Sequence, residues 1–203
     1  MSILESLKNA ALSALKRETR KAVNKAVDNA VQNIGKGRNH TEKFTFTALP
    51  ANVDELKALP EAKLDTAFKT TALTILALSR YEADPEAAFA MLSFLKGPEE
   101  FNTSEKSFMK DRLNGKEYKV RSFFEGATPE NDYTPNKPYV ISVIENPYSF
   151  DNENWATLYV TSGGADNPRN IKLRKKPSTG EWFLNDIQCL GDIRLPKSED
   201  KWA

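Results

Sequence analysis

Few side chains in this 203-residue chain are of the kinds that do chemistry, and their placement narrows the field further. Cys189 is the only cysteine and His40 the only histidine. An internal disulfide and a zinc site built from thiolates are therefore both excluded. Spacing alone neither supports nor excludes a Cys–His nucleophile pair. Cys189, beside Leu190, reads as a small buried residue, and His40, in a polar linker, as a solvated one. The adjacent acids Glu99-Glu100 and Glu199-Asp200 fall in loops, without a pocket to drive their pKa values apart as acid–base catalysis requires. No ligand spacing of a metal site is present. The chain reads as a non-enzyme, with no catalytic residue, metal or cofactor expected.

The richest polar set lies near "SGGADNPRNIKLRKKPSTGEWFL", Ser162 to Leu184. Glycines beside positive charge suggest a phosphate loop, but such a loop leads straight into a helix whose N–H groups point at the anion. Here Gly163 and Gly164 pass through Asp166, Asn167 and Pro168 into a strand-like run, so a turn that exploits glycine's tolerance of positive φ is the expected role. Asp166, Arg169, Arg174 and Asp192 have two readings. One is an ion-pair and turn network that fixes the sheet, and the other a weak contact for a ligand or partner. Trp202 joins the set because a Trp side chain buries roughly 150–250 Å²; it is expected to strap across its own domain or to enter a partner's groove.

These residues need a frame. "FTF" at Phe44 to Phe46 suggests a short strand or extended lead-in. Asn52 with Glu55 predicts a capped short helix ending near Leu59. Pro60 then opens a longer one whose apolar residues, Leu64, Phe68, Ala72, Ile75 and Leu76 among them, run almost all the way round, marking a buried central helix. Asp84-Pro85 starts a third helix that stops at Gly97-Pro98, and a fourth is expected from Thr103 to Leu113. The period then falls to two in "PYVISVIE", "WATLYVT", "NIKLRK" and "EWFLNDI". Helices followed by strands predict an α+β domain, with a helical layer packed on one face of a C-terminal antiparallel sheet. Its limits are placed at residues 39–203.

Residues 1–38 differ in composition. They carry eight Lys/Arg against three acids, whereas the whole chain has a net charge of only +1. They contain no Gly or Pro between Ser2 and Ile34, and Leu4, Leu7, Ala11, Leu15, Ala22, Ala26, Ala30 and Ile34 fall mostly three or four apart. A long amphipathic helix is expected, its apolar stripe kept straight by eleven-residue spacings such as Leu4–Leu15–Ala26. A helix of ~33 residues would be about 50 Å long, more than one small domain covers. The stripe therefore suits self-association or another protein. A basic amphipathic helix also suits an anionic membrane surface, although this one lacks Trp or Phe anchors. Nucleic acid is disfavoured, because no aromatic platform accompanies the basic cluster from Lys16 to Lys25. The N-terminus does not read as a secretory signal, no apolar run is long enough to span a bilayer, and the lone cysteine fits a reducing, cytoplasmic setting.

The segments "SGGADNPRNIKLRKKPSTGEWFLNDI" and "LGDIRLPKSEDKWA" resemble the C-terminal hallmark of an uncharacterised bacterial family, a domain of unknown function found mainly in Firmicutes. The resemblance spans roughly Phe44 to Ala203 and is carried by Gly163, Gly164, Asp166, Pro168, Arg169, Leu173, Arg174, Trp182, Asp192, Arg194, Pro196 and Trp202. It implies no activity. A more distant similarity of pattern, the hairpin with a Gly-x-Trp return at Gly180 to Trp182, links the chain to cone-shaped nuclear-transport-factor-like and cystatin-like domains. Such a link implies a curved sheet over helices and nothing about function. The expected role is a non-enzymatic interaction or assembly module acting through residues 1–38. Peripheral membrane attachment by the same helix, or a small-ligand pocket between sheet and helices, are the alternatives.

Overall fold

The Asn52 side chain accepts hydrogen bonds from the N–H groups of Asp54 and Glu55, both at 3.0 Å, and so starts the first helix among the described residues. The structure is a computed structural model and describes residues 39–202; the amphipathic helix expected over residues 1–38, with its stripe from Leu4 to Ile34, lies outside the described residues. Strand β1 spans His40–Phe46, and α1 spans Val53–Lys57. His40 is thus the first residue of a strand rather than part of a polar linker.

The long helix expected from Pro60 is broken. Pro60–Lys63 forms one 3₁₀ turn that ends at Leu64, whose φ of 53° is left-handed. Leu64 is pinned there by its buried side chain and by its carbonyl, which accepts from the Trp182 N–H at 2.8 Å. Thr66 then caps a fresh helix, α2 (Ala67–Ser79), its hydroxyl oxygen accepting from Lys69 N–H at 3.2 Å. Eleven of its thirteen residues are buried, and it lies across all five strands. Three of the buried residues are threonines. Thr71 and Thr74 donate to the carbonyls of Ala67 and Thr70, while Thr70 donates to the Trp182 carbonyl at 2.8 Å. The central helix is therefore satisfied internally and tied to the strand it covers.

Helix α3 (Pro85–Lys96) has Asp84 as its N-cap and Pro85 in its first turn, and it ends at Gly97 with φ 71°. Helix α4 (Thr103–Leu113) opens with a reciprocal capping box between Asn102 and Glu105, and a single turn, α5, covers Tyr118–Arg121. The strands follow: β2 (Tyr139–Glu145), β3 (Trp155–Val160), β4 (Arg169–Lys175) and β5 (Trp182–Ile187). They form an antiparallel sheet in the order β1-β2-β3-β4-β5. The α+β architecture read from the change of period is the one observed, with the helices inserted between β1 and β2.

Alternation puts Phe44, Phe46, Ile141, Val143, Ala156, Leu158, Val160, Ile171 and Leu173 in the core. Leu184 and Ile187 of β5 are three residues apart, so strict alternation would send them to opposite faces. A bulge in the β4–β5 pairing resolves this: Leu184 faces Leu173 and Ile187 faces Ile171, and both are buried. The other face carries Thr41, Lys43 and Thr45 of β1, with Trp155 of β3 and Arg174 of β4, all exposed.

Gly163 and Gly164 form a turn between β3 and β4, but not for the expected reason. Neither adopts positive φ. A Cβ at Gly163 would lie 1.9 Å from the Ala127 carbonyl oxygen, and one at Gly164 would lie 2.1 Å from the Tyr133 hydroxyl. The turn is instead a close junction, in which Gly163 N–H donates to Ser122 O and Gly164 O accepts from Arg194 N–H, each at 2.9 Å. Glycine serves here by having no side chain.

Gly163→Ala is expected to cost at least ~2 kcal/mol in urea unfolding, because the new methyl meets backbone rather than a movable side chain. Gly191 has open space and ordinary φ; Gly191→Ala should stay within ~0.5 kcal/mol of the native chain. Equal effects of the two substitutions would refute the junction.

Candidate functional site

Strand β4 begins at Arg169 and ends at Lys175, and at about 3.3 Å per residue this sets Arg169 and Arg174 roughly 16 Å apart. The four polar residues singled out from the sequence therefore do not form one cluster. Arg169 donates from Nη2 to the backbone carbonyl of Asp192 at 2.6 Å, not to its carboxylate. Asp192 has φ 49°, a left-handed conformation that Asp tolerates better than most residues. Its role is to turn the chain and present that carbonyl. Asp166 instead pairs with Arg194 at 2.8 Å. Both side chains are well exposed, so solvent screens the pair and it adds little to stability.

Arg174 lies at the other end of the sheet. Its Nη1 is 3.1 Å from Glu99 Oε1, and its guanidinium is 5.3 Å from the ring of Trp155, its cross-strand partner. Stacking on an aromatic face and pairing with a carboxylate suit a planar guanidinium. Near Arg194 is an open depression of about 390 Å³, lined by Pro129, Glu130, Arg194, Leu195, Lys197 and Asp200. Its two cations and two acids leave no clear preference for a charged ligand.

The residue organising this end was not legible beforehand. Tyr133 is fully buried and stacks on Tyr118 at 5.6 Å, and its hydroxyl donates to the Arg194 carbonyl at 2.7 Å. Burial pushes its phenol up to about 12. Asp132 Oδ1 accepts from Ser198 N–H at 3.1 Å, so residues 132–133 hold the C-terminal segment at two points. Both have positive φ, near 50° and 55°. Trp202 does not strap across the domain as one expectation had it: it is 96% exposed, and its backbone N–H donates to Asp200.

Cys189 is fully buried, and burial pushes its thiol up to about 12, far from the thiolate a nucleophile needs. This is the small core residue read from the sequence. His40 is exposed, packs edge-on against Phe68 at 5.5 Å and faces Glu145 across the β1–β2 pair. Glu145 is only 3% exposed, and burial raises its carboxyl above the usual range while the His40 charge opposes the rise. Among the described residues no group of three or more His, Cys, Asp or Glu side chains is placed to hold a metal ion, and no helix is long and apolar enough to cross a membrane.

Residues 48–197 match the model of a family described as "Domain of unknown function (DUF6935)". The match leaves Trp202 and residues 1–38 outside it. No curated protein and no solved structure matches the chain.

A carboxyl whose folded pKa lies above its unfolded value contributes stability that is full below the unfolded value and is lost as pH rises through the folded one. The raised Glu145 carboxyl thus makes the fold less stable at neutral pH than at acid pH. Glu145→Gln should melt higher than the native chain at pH 7, by roughly 2–4 °C for each kcal/mol recovered. The gain should shrink to nothing below about pH 4, where both side chains are neutral. Scanning calorimetry across that range checks it, and a gain independent of pH would refute it.

Proposed function

The chain belongs to the DUF6935 family, and we propose that it works as a non-enzymatic interaction and assembly module, associating with itself or with another protein through residues 1–38. The observation that carries this reading is the unequal charge and patterning of the chain. Eight basic residues and a stripe of apolar positions from Leu4 to Ile34 precede a domain that is a complete fold by its own core. Exposed aromatic residues on the domain, Tyr148 at 76% and Trp202 at 96%, are a second support. Large aromatics in water are favoured anchors for partners. The sealed Cys189 and the separation of Arg169 from Arg174 fit a protein that works without covalent or acid–base chemistry. A cytoplasmic setting accords with the lone cysteine.

The excess of basic residues in 1–38 favours a second reading, attachment to an anionic membrane surface, with binding that weakens as salt screens the charges.

Sedimentation equilibrium of the full chain should show association that rises with concentration. A chain starting at residue 39, checked for folding by its thermal melt, should stay monomeric; association as strong as that of the full chain would overturn the reading. Flotation with anionic liposomes tests the second: salt-sensitive capture of the full chain supports it, and indifference to lipid charge refutes it.

A further inference from the structure

A second cleft, of about 300 Å³, lies between the end of α3 and the β4–β5 hairpin. Phe183 and Leu184 from β5, with Pro98 and Pro177, form the apolar part of its lining. Phe183 is held in place by Gly97, where a Cβ would lie 2.3 Å from the ring, so the bare glycine admits the aromatic wall. Around this wall stand four cations, Lys96, Arg174, Lys175 and Lys176. Two are already answered: Lys96 is buried against Glu105, and Arg174 pairs with Glu99. Lys175 and Lys176 have no carboxylate partner among the described residues. The Lys175 ammonium lies 5.8 Å from the Trp182 ring, and Asn185 adds an amide to the lining.

The cleft thus has two uncompensated positive charges next to an aromatic wall. A carboxylate would neutralise only one of them. A phosphomonoester carries about −1.5 to −2 at pH 7 and presents three strong acceptor oxygens, which matches the surplus. The volume falls at the small end of the roughly 300–1,000 Å³ typical of ligand pockets, the size of a small organic phosphate. We propose that this cleft binds a small phosphomonoester, its phosphate on Lys175, Lys176 and the free edge of Arg174, and its organic part against Phe183. The site is separate from the association of residues 1–38 and stands or falls independently of it.

The test is calorimetric titration of the full chain with phenyl phosphate, inorganic phosphate, benzoate and benzyl alcohol, with tryptophan emission recorded in parallel because Trp155 and Trp182 stack on Arg174 and Lys175. Phenyl phosphate should bind saturably and about ten-fold more tightly than inorganic phosphate or benzoate, and benzyl alcohol should not bind. The Lys175→Ala/Lys176→Ala variant should weaken phenyl phosphate at least ~ten-fold. Phe183→Leu, which keeps an apolar wall, should weaken phenyl phosphate while leaving inorganic phosphate unchanged. The proposal is overturned by the absence of saturable binding up to ~10 mM, by equal binding of benzoate, or by undiminished binding in a folded double-lysine variant. The last would leave the two lysines as solubilising charges near the sheet edge.

Discussion

Burying α2 on nearly every side is the constraint from which the rest of the domain follows. A helix enclosed in this way cannot leave a hydroxyl or a terminal amide unanswered, since each would cost about 1–3 kcal/mol. Its three buried threonines bond back to its own turns or forward to β5, and Leu64 receives the Trp182 N–H just before the helix begins. One residue of β5, Trp182, thus serves the helix twice through its backbone. The break at Leu64 follows from this, because a helix continuing from Pro60 would keep the Leu64 carbonyl for itself.

With β5 anchored at Trp182, the bulge beyond it turns Leu184 and Ile187 inward together and places Phe183 beside Gly97. The end of α3 and the β4–β5 hairpin are thereby brought face to face. At the opposite end of β4, close approach does the equivalent work. Glycines 163 and 164 let the β3–β4 turn press against Ala127 and Tyr133, and Tyr133 grips the chain at Arg194. The surface ion pairs ornament these junctions without creating them.

Periodicity made the sheet legible almost residue by residue: four runs of alternating residues became β2 to β5, and their order needed no crossover among them. Caps at Asn52 and Asp84 were legible because their chemistry is local. What depended on distant partners was not. The left-handed Leu64 answers to a residue over a hundred positions away, and the bulge in β5 is visible only once Ile171 and Leu173 are set opposite it. The polar residues were the least legible of all. Asp192 acts through its carbonyl, Arg194 rather than Arg169 meets Asp166, and Tyr133 gives no signal in sequence beyond its size. Alternation sets Arg174 and Lys176 on one side of the chain, and only the approach of Pro98 turns that side into the rim of a cleft.

Among the described residues all five α-helices lie between β1 and β2, and this has a kinetic consequence. His40 pairs with Glu145 and Phe46 with Tyr139, so the sheet's first strand closes on a neighbour that leaves the ribosome only after the whole helical layer. The successive hairpins from β2 to β5 enclose short loops and can zip early, whereas β1 must wait for the slowest ring closure in the molecule. Until then the flank of β2 is bare, and crowded chains have their best opportunity to exchange first strands at that moment.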